Sequence, residues 1–299
     1  MIGKNYRSVV GSFMYLAMGT RPDLAYTLQQ LSQFLHNPGP THWSAVQRAL
    51  RYLKGTRTYG IRLGGIASID DFPFLSAYVD ANYAMCVDTR RCISGFFTLF
   101  FGSPVSWLAK KQPLVTLSTT EAEFVALALC IQELLYLRQL ASELQQTSDQ
   151  PVLVDEDNQS TIKIATNAEL HGRSKHIDVR YMFVRDLVDS GEFQLKWCSS
   201  GNQLADFFTK PLPAPAFADL RSRLYIHHLP YAFFADTHGS WWRVSAFCSV
   251  CEPCCPFKGV PIFRLVKSGG CQVVLFPRLC SRLLSSPISP KLYRLVYQL

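Results

Sequence analysis

Hydrophobic positions recur at two different periods along the chain, and the change between them divides it. From residue 7 to about 64 the spacing is helical. "SVVGSFMYLAMGTRPDLAYTLQQLSQFL" carries apolar residues three and four apart and is interrupted at "GTRPD", where Asp23 after Pro22 signals a new helix start. "PGPTHWSAVQRALRYLKGT" predicts a further helix, capped by Thr41 and stopped at Gly55, with an apolar stripe through Trp43, Val46, Ala49, Leu50 and Leu53. Its outer side carries Arg48, Arg51 and Lys54.

From about residue 66 the period shortens to two. "FLSAYVDANYA" alternates as a strand closed by Asp80, and "ISGFFTLFFG" is a β-branched and aromatic run. "PVSWLAKKQPLVTLS" predicts one or two short strands with a basic turn at Lys110 and Lys111. A long helix follows from about Ser118 to Leu144, opened by Ser118 and Glu121 at capping-box spacing. "PVLVDEDNQS" is a strand ending in acids, and "NQSTIKIATN" a helix. "SKHIDVRYMFVRDLVDSG" is an amphipathic helix with Ile177, Tyr181, Val184 and Leu187 on one face. "EFQLKWCSS" is a strand, "NQLADFFTKPL" a short helix stopped by Pro211, and "PAFADLRSRLYI" a last helix. Three strands, a helix, a strand, helices, a strand and helices make a mixed α/β sheet domain with helices packed on it. Beyond about 227 no period is visible, and no elements are predicted there.

Composition adds limits. A chain of 299 residues, 48% hydrophobic and 17% charged, is globular rather than disordered. The net charge of +8 is uneven: residues 1–226 hold 22 Lys+Arg against 20 Asp+Glu, and residues 227–299 hold 8 against 2. The basic balance therefore belongs to the tail and says little about what the rest binds. The start "MIGKNYRSVV" has no apolar leader region and no run of 18 apolar residues occurs, so no membrane partner is expected. An intracellular site, cytoplasmic or nuclear, with free thiols is the corresponding expectation.

Acids mark the ends of these elements: Asp80 and Asp157 at strand ends, Glu121 and Glu123 in the first turns of the long helix, and Asp206 in the short late helix. Each alone has an ordinary explanation as a turn cap, helix cap or dipole partner. Together, flanked by the apolar Val79, Ala81, Val154 and Ala205, they form a set of hard oxygen ligands at the edge of a core. Such carboxylates repel one another unless a cation intervenes, and Mg²⁺ suits them. Two such ions about 3.5–4 Å apart can activate a water and stabilise the leaving oxygen of a phosphoryl displacement.

At this point a family resemblance is carried by "YVDANYA", "DTRRCISGFF", "VSWLAKKQPLVTLSTTEAEFVAL", "DEDNQSTIKIATN", "HGRSKHIDVRYMFVRDLV" and "NQLADFFTKPL". They resemble the ribonuclease H domain of copia-type retrotransposon Pol polyproteins. "YRSVVGSFMYLAMGTRPDLAYTLQQLSQF" and "HWSAVQRALRYLKGT" resemble the end of the reverse transcriptase region that precedes it. The likeness covers roughly residues 6–226. It implies two parts, a small helical remnant of the reverse transcriptase at 1–65 and a ribonuclease H-like mixed five-stranded sheet with flanking helices at 66–226; the tail at 227–299 matches neither, and its apolar, basic, Cys-rich composition predicts poor order.

The resemblance implies an endoribonuclease that cleaves the RNA strand of RNA–DNA hybrids with two Mg²⁺ ions, Mn²⁺ substituting. The metal ligands and catalytic residues would be Asp80, Glu123, Asp157 and Asp206. Glu123 is preferred to Glu121 because "EFVA" repeats the family's glutamate, two residues, then alanine; Glu121 then keeps the cap role. Thr119, Thr120 and Asn202 fall where related enzymes contact substrate, and Asn202 stands four residues before Asp206, one helical turn away. Lys110, Lys111, Arg173, Lys175 and His176 offer a phosphate track, with Lys110 and Lys111 equally readable as a solvated turn. In an intact element the partner would be the reverse transcriptase portion of the same polyprotein.

Departures accompany the likeness. No polymerase palm motif is present, "IDDF" at 69–72 lying before the nuclease strand, so no polymerisation is expected. Met182 stands where the family has a histidine and Cys92 where it has Ser or Thr; "CSSGN" lacks the loop histidine of some cellular enzymes. These features and the unmatched tail support an alternative: a catalytically inactive, decayed remnant that at most binds nucleic acid. In the tail, "CSVCEPCC" holds two overlapping C-x-x-C pairs, a possible zinc motif without a suitably spaced second ligand pair.

Overall fold

The computed structural model describes residues 6–63, 72–86, 88–167, 175–228, 263–267 and 270–274, with the backbone alone for 175–178 and for the last two stretches. Eight helices of four residues or more and nine strands are described. The N-terminal third folds as helices α1 (Tyr6–Gly19), α2 (Ala25–Ser32) and α3 (Pro40–Gly55), with a 3₁₀ turn at Pro22–Leu24 between the first two. Tyr6, Val10, Phe13, Leu31, Val46 and Ala49 bury together as their shared core. The cap of α3 is a correction to the sequence reading. The helix begins at Pro40 rather than after Thr41, and the Gly39 N–H donates to Nδ1 of His42 at 2.8 Å. Proline supplies the helical φ at the first position and has no N–H to leave unpaired.

Strand β1 (Tyr59–Ile61) follows, an element that the helical pattern did not foretell. It pairs antiparallel with β7 (Ile226–His228), at the other end of the ribonuclease H-like stretch. β1 lies before the division expected at 65/66, and β7 runs across the one expected at 226/227.

The central sheet has five strands in the order β4-β3-β2-β5-β6: β2 (Leu75–Asn82), β3 (Ile93–Phe100), β4 (Ser103–Lys111), β5 (Val152–Glu156) and β6 (Phe193–Trp197). β2, β3 and β4 run antiparallel, whereas β5 and β6 run parallel to β2. This mixed five-stranded sheet with flanking helices is the ribonuclease H-like fold class. Lys110 and Lys111 close β4 instead of forming a turn. Ser94–Lys110 and Ile93–Lys111 are ladder pairs with β3, which carries the extended backbone through both lysines.

Side-chain alternation on β2 separates two cores. Leu75, Ala77, Val79 and Ala81 join the core under α4 (Thr119–Glu143), with Phe124, Leu127, Ile131 and Leu134. By length and composition α4 could cross a membrane; here its apolar side chains bury against the sheet. Ser118 caps it, accepting from the Glu121 N–H at 3.1 Å, and the Glu121 carboxylate accepts from the Leu117 N–H at 2.7 Å. α5 (Gln159–Thr166) and α6 (Lys175–Asp189) cover the same side; Val184 is buried, with Tyr181 and Leu187 packed beside it.

The opposite face is covered by α7 (Asp206–Thr209) and α8 (Ala214–Arg223), through Phe97, Leu99, Phe207, Phe208, Leu220 and Leu224. Each fully buried phenylalanine contributes about 1.5–3 kcal/mol. The N-terminal helices dock onto this side: Trp107 Nε1 donates to Ala17 O at 2.6 Å, Lys111 Nζ to Gln33 Oε1 at 2.8 Å, and Arg221 Nη1 to Tyr52 Oη at 3.4 Å. In the tail, β8 (Phe263–Lys267) and β9 (Gly270–Val274) pair antiparallel, where no strands were predicted. The cysteines from Cys248 to Cys255 and Cys280 lie outside the described residues.

Candidate metal centre

Four elements bring carboxylates to one place. Asp80 sits on β2, two residues before its end, and is 1% exposed. Asp157 follows β5 directly and is half-buried; the capping of α5 falls to Asn158, whose Oδ1 accepts from the N–H groups of Ser160 and Thr161. Asp157 is thereby left for other partners, and its Oδ2 accepts from Ser200 Oγ at 3.0 Å. Glu123 points inward from the second turn of α4, and Asp206 opens α7.

Ligand atoms of Asp80, Asp157 and Asp206 lie within 4.8 Å of one another, as do those of Glu123, Glu156 and Asp157. Asp157 belongs to both sets, so the structure joins all four acids singled out in the sequence and adds a fifth, Glu156. Sequence reasoning passed over Glu156 because the residue after it had already been chosen. The usable signal was alternation: Val152, Val154 and Glu156 share one buried side of β5.

The electrostatics follow from burial with too few cations. Burial pushes Asp80 up to about 6, with Asp206 and Asp157 adding to the rise and Lys210 opposing it. Burial likewise raises Asp206, against the pull of Lys210. Glu123 and Glu156 are raised well above the usual range by burial, with their acidic neighbours adding to it. Oε2 of Glu123 and Oε2 of Glu156 are buried and have no hydrogen-bond partner among the described residues. An unpartnered buried carboxylate oxygen costs on the order of 1–3 kcal/mol, and more if charged. Five hard oxygen ligands, two of them with orphaned atoms, are the donor set that a divalent cation would satisfy.

Three further residues shape the site that the sequence alone did not single out. Lys210 Nζ lies 3.3 Å from Asp80 Oδ1 and 2.5 Å from Asp206 Oδ1. Thr209 Oγ1 donates to Asp80 Oδ2. Gln203, fully buried, donates from Nε2 to Val79 O at 2.8 Å and accepts from the Ala205 N–H, tying the approach to α7 onto β2. Gly95 makes the close approach of α7 to the sheet possible. It is the ladder partner of Asp80, and a Cβ there would lie 2.6 Å from Thr209 Cγ2 and 2.8 Å from Phe208 Cβ.

The expected substrate contacts are scattered in their fates. Thr119 is exposed and Thr120 half-buried at the start of α4, and the Thr120 carbonyl accepts from Thr161 Oγ1 at 3.4 Å. Lys110 is exposed, whereas Lys111 is held by Gln33 and by Cys86 Sγ at 3.1 Å. Asn202 is not one helical turn from Asp206: it ends a separate 3₁₀ turn, Ser200–Asn202, and Gln203 is extended before α7 begins. Its carbonyl and Oδ1 accept from Arg223 instead, each at 3.3 Å. The side chains of Lys175 and His176, and all of Arg173, lie outside the described residues. Met182 is 53% exposed, and Cys92 is buried with its Sγ 3.0 Å from Thr116 Oγ1.

No protein-family model matches the chain. Individual relatives do. The chain is 38% identical over 222 residues to the Retrovirus-related Pol polyprotein from transposon TNT 1-94 of Nicotiana tabacum, covering 74% of this chain and 16% of the relative. It is also 38% identical over 225 residues to the Retrovirus-related Pol polyprotein from transposon RE2 of Arabidopsis thaliana, covering 75% and 15%. Among solved structures, the foamy viral protease-reverse transcriptase in complex with RNA/DNA hybrid is similar at 12% identity and a TM-score of 0.42, covering 71% of this chain and 26% of that one. The chain thus spans about a sixth of the length of these curated relatives. On the sequence likeness over three quarters of its length, the chain is homologous to part of the retrotransposon Pol polyproteins.

Proposed function

We propose that residues 66–226 are a metal-dependent endoribonuclease acting on the RNA strand of RNA–DNA hybrids, and that residues 1–65 are the end of the reverse transcriptase region of the same polyprotein. The observation that carries this reading is the meeting of Asp80, Glu123, Asp157 and Asp206 at one end of the sheet, with Asp157 common to both groups of ligand atoms. Asp80, Asp157 and Asp206 would hold one Mg²⁺, and Glu123 with Asp157 a second, Mn²⁺ serving in its place. When bound, such ions supply Lewis-acid stabilisation of the phosphate oxygens and an activated water.

The chain's own residues set the geometry. β2 and β5 are parallel neighbours, so Asp80 and Asp157 emerge at the same end of the sheet. The Ala81 backbone favours the ionised form of Glu123 and orients it toward β2. Thr209 and Ser200 each direct one aspartate by a hydrogen bond. Lys110, Thr119 and Asn202, which are exposed, would contact the hybrid backbone, whose shape and 2′-hydroxyls rather than sequence would be read. The proposed partners are therefore an RNA–DNA hybrid and the upstream polyprotein, in an intracellular setting.

The test is cleavage of an end-labelled RNA–DNA hybrid by the full chain in Mg²⁺ or Mn²⁺, beside Asp157→Asn. Cutting of the RNA strand that vanishes in the variant is expected. A folded chain that cuts nothing with either ion overturns the proposal in favour of a decayed, at most nucleic-acid-binding, remnant.

A further inference from the structure

We infer that Lys210 is a built-in counter-cation of the carboxylate cluster: it holds Asp80 and Asp206 together when no divalent ion is bound and competes with such an ion for their oxygens. The inference rests on the proposed reading of the cluster as a metal centre and goes beyond it, because a lysine in that position sets how readily the ion enters.

The geometry is asymmetric. The ammonium bridges Asp80 and Asp206, the two acids on the α7 side. Glu123 and Glu156, on the α4 side, meet no cation among the described residues and keep an orphaned oxygen each. Lys210 therefore covers one half of the ligand set and leaves the other half bare. Its placement is firm at the backbone and free at the tip. The residue follows α7 directly, its N–H bonded to the Asp206 carbonyl, and α7 is seated on Gly95 with Thr209 and Phe208 in contact.

The side chain itself is 33% exposed, while that of Asp80 is 1% exposed. The lysine thus enters from the mouth of the site and can leave by the same way. A compact ammonium on a flexible four-carbon stem suits a charge that must be displaced, where a guanidinium would grip a carboxylate with two parallel bonds. Thr209 donates to Oδ2 of Asp80 while Lys210 meets Oδ1, so the hydroxyl would keep the aspartate oriented as the cation on the other oxygen changes. The opposing reading is an ordinary half-exposed ion pair, worth little and irrelevant to the ion.

Calorimetric titration of Mn²⁺ into the full chain without nucleic acid separates the two. Lys210→Gln should bind the ion about tenfold more tightly than the unaltered chain, the order expected for removing one competing charge beside two carboxylates. Lys210→Arg, which keeps the charge, should bind no more tightly than the unaltered chain. Lys210→Gln should also melt at a lower temperature in chelator and recover when Mn²⁺ is added. Equal or weaker binding by Lys210→Gln overturns the inference and leaves the metal-centre reading standing. No binding by any of the three overturns both.

A measurement on the unaltered chain covers the case in which the variant does not fold. The NMR signal of the Lys210 ammonium should move toward that of a solvated lysine as Mg²⁺ is added. A signal that stays in place while the ion binds overturns the inference.

Discussion

Two buried charged groups in different parts of the molecule are built by opposite rules. In the N-terminal helices, Arg21 and Asp23 form an ion pair at 2.7 Å with side chains 6% and 0% exposed. Every strong group there has a partner. Arg21 also donates to the Thr56 carbonyl and hydroxyl, and Tyr52 Oη donates to Asp23 at 2.7 Å. At the end of the central sheet, among the described residues, five acids have one lysine near them, which pairs with only two, and two buried oxygens have no partner. A buried acid is therefore not a functional sign by itself. The sign is a buried acid that its own fold leaves unsatisfied, because that deficit makes room for a cation supplied from outside.

Breaking each group in turn should expose the contrast. The largest effect falls on chemistry: Asp157→Asn should reduce hybrid cleavage by at least about a hundredfold, with a thermal melt no lower than that of the unaltered chain, since the change removes repulsion. Asp23→Asn should do the reverse. It leaves Arg21 buried without its counter-charge and should cost about 3–5 kcal/mol in denaturant unfolding. A melt that falls more for Asp157→Asn than for Asp23→Asn would contradict the distinction.

Gly95→Ala comes next. The added methyl forces α7 away from β3, so unfolding should cost about 1–3 kcal/mol, and cleavage should fall with it because Asp206 and Lys210 move away from Asp80. The metal-free cluster should then show its repulsion as a pH effect. The folded chain holds the Asp80 proton up to about 6, above its ordinary value of 3.8. Without divalent ions, stability should be full at low pH and fall as pH rises from about 4 through about 6, by roughly 1–3 kcal/mol. Melting at pH 5 and 7 in chelator reads this difference, and Mg²⁺ should narrow it. Smallest is Glu121→Gln, which weakens only the cap of α4: about 1 kcal/mol or less in unfolding and no change in cleavage.

How much was legible in the sequence followed the range of the interactions. The five strands of the sheet and the helix α4 announce themselves by local period, and the Ser118–Glu121 cap by a spacing of three. The four acids Asp80, Glu123, Asp157 and Asp206 stand at element ends that the same pattern locates, and the structure brings them together. Local pattern failed where a distant partner decides. Lys110 and Lys111 look like a turn by charge, yet the ladder with Ser94 and Ile93 keeps them extended. Tyr59–Ile61 is too short to show a period, and its partner lies at the far end of the fold. Lys210 and Thr209 look like the polar end of a short helix until Gly95 brings that helix against Asp80. Asn202 and Asp206 have helical spacing, but the extended Gln203 between them sends its side chain to β2.

The pairing of β1 with β7 has a mechanical side. Tyr59, where the chain enters this ladder, lies opposite His228, where it leaves. A pull on residues 59 and 228 from opposite directions would thus meet at one point and peel the three pairs apart in succession, as a zipper opens. The sheet that carries the acids lies in sequence wholly between those two residues. Six residues thus draw the ends of that stretch to one point, and the acids between them are held in a closed loop of chain.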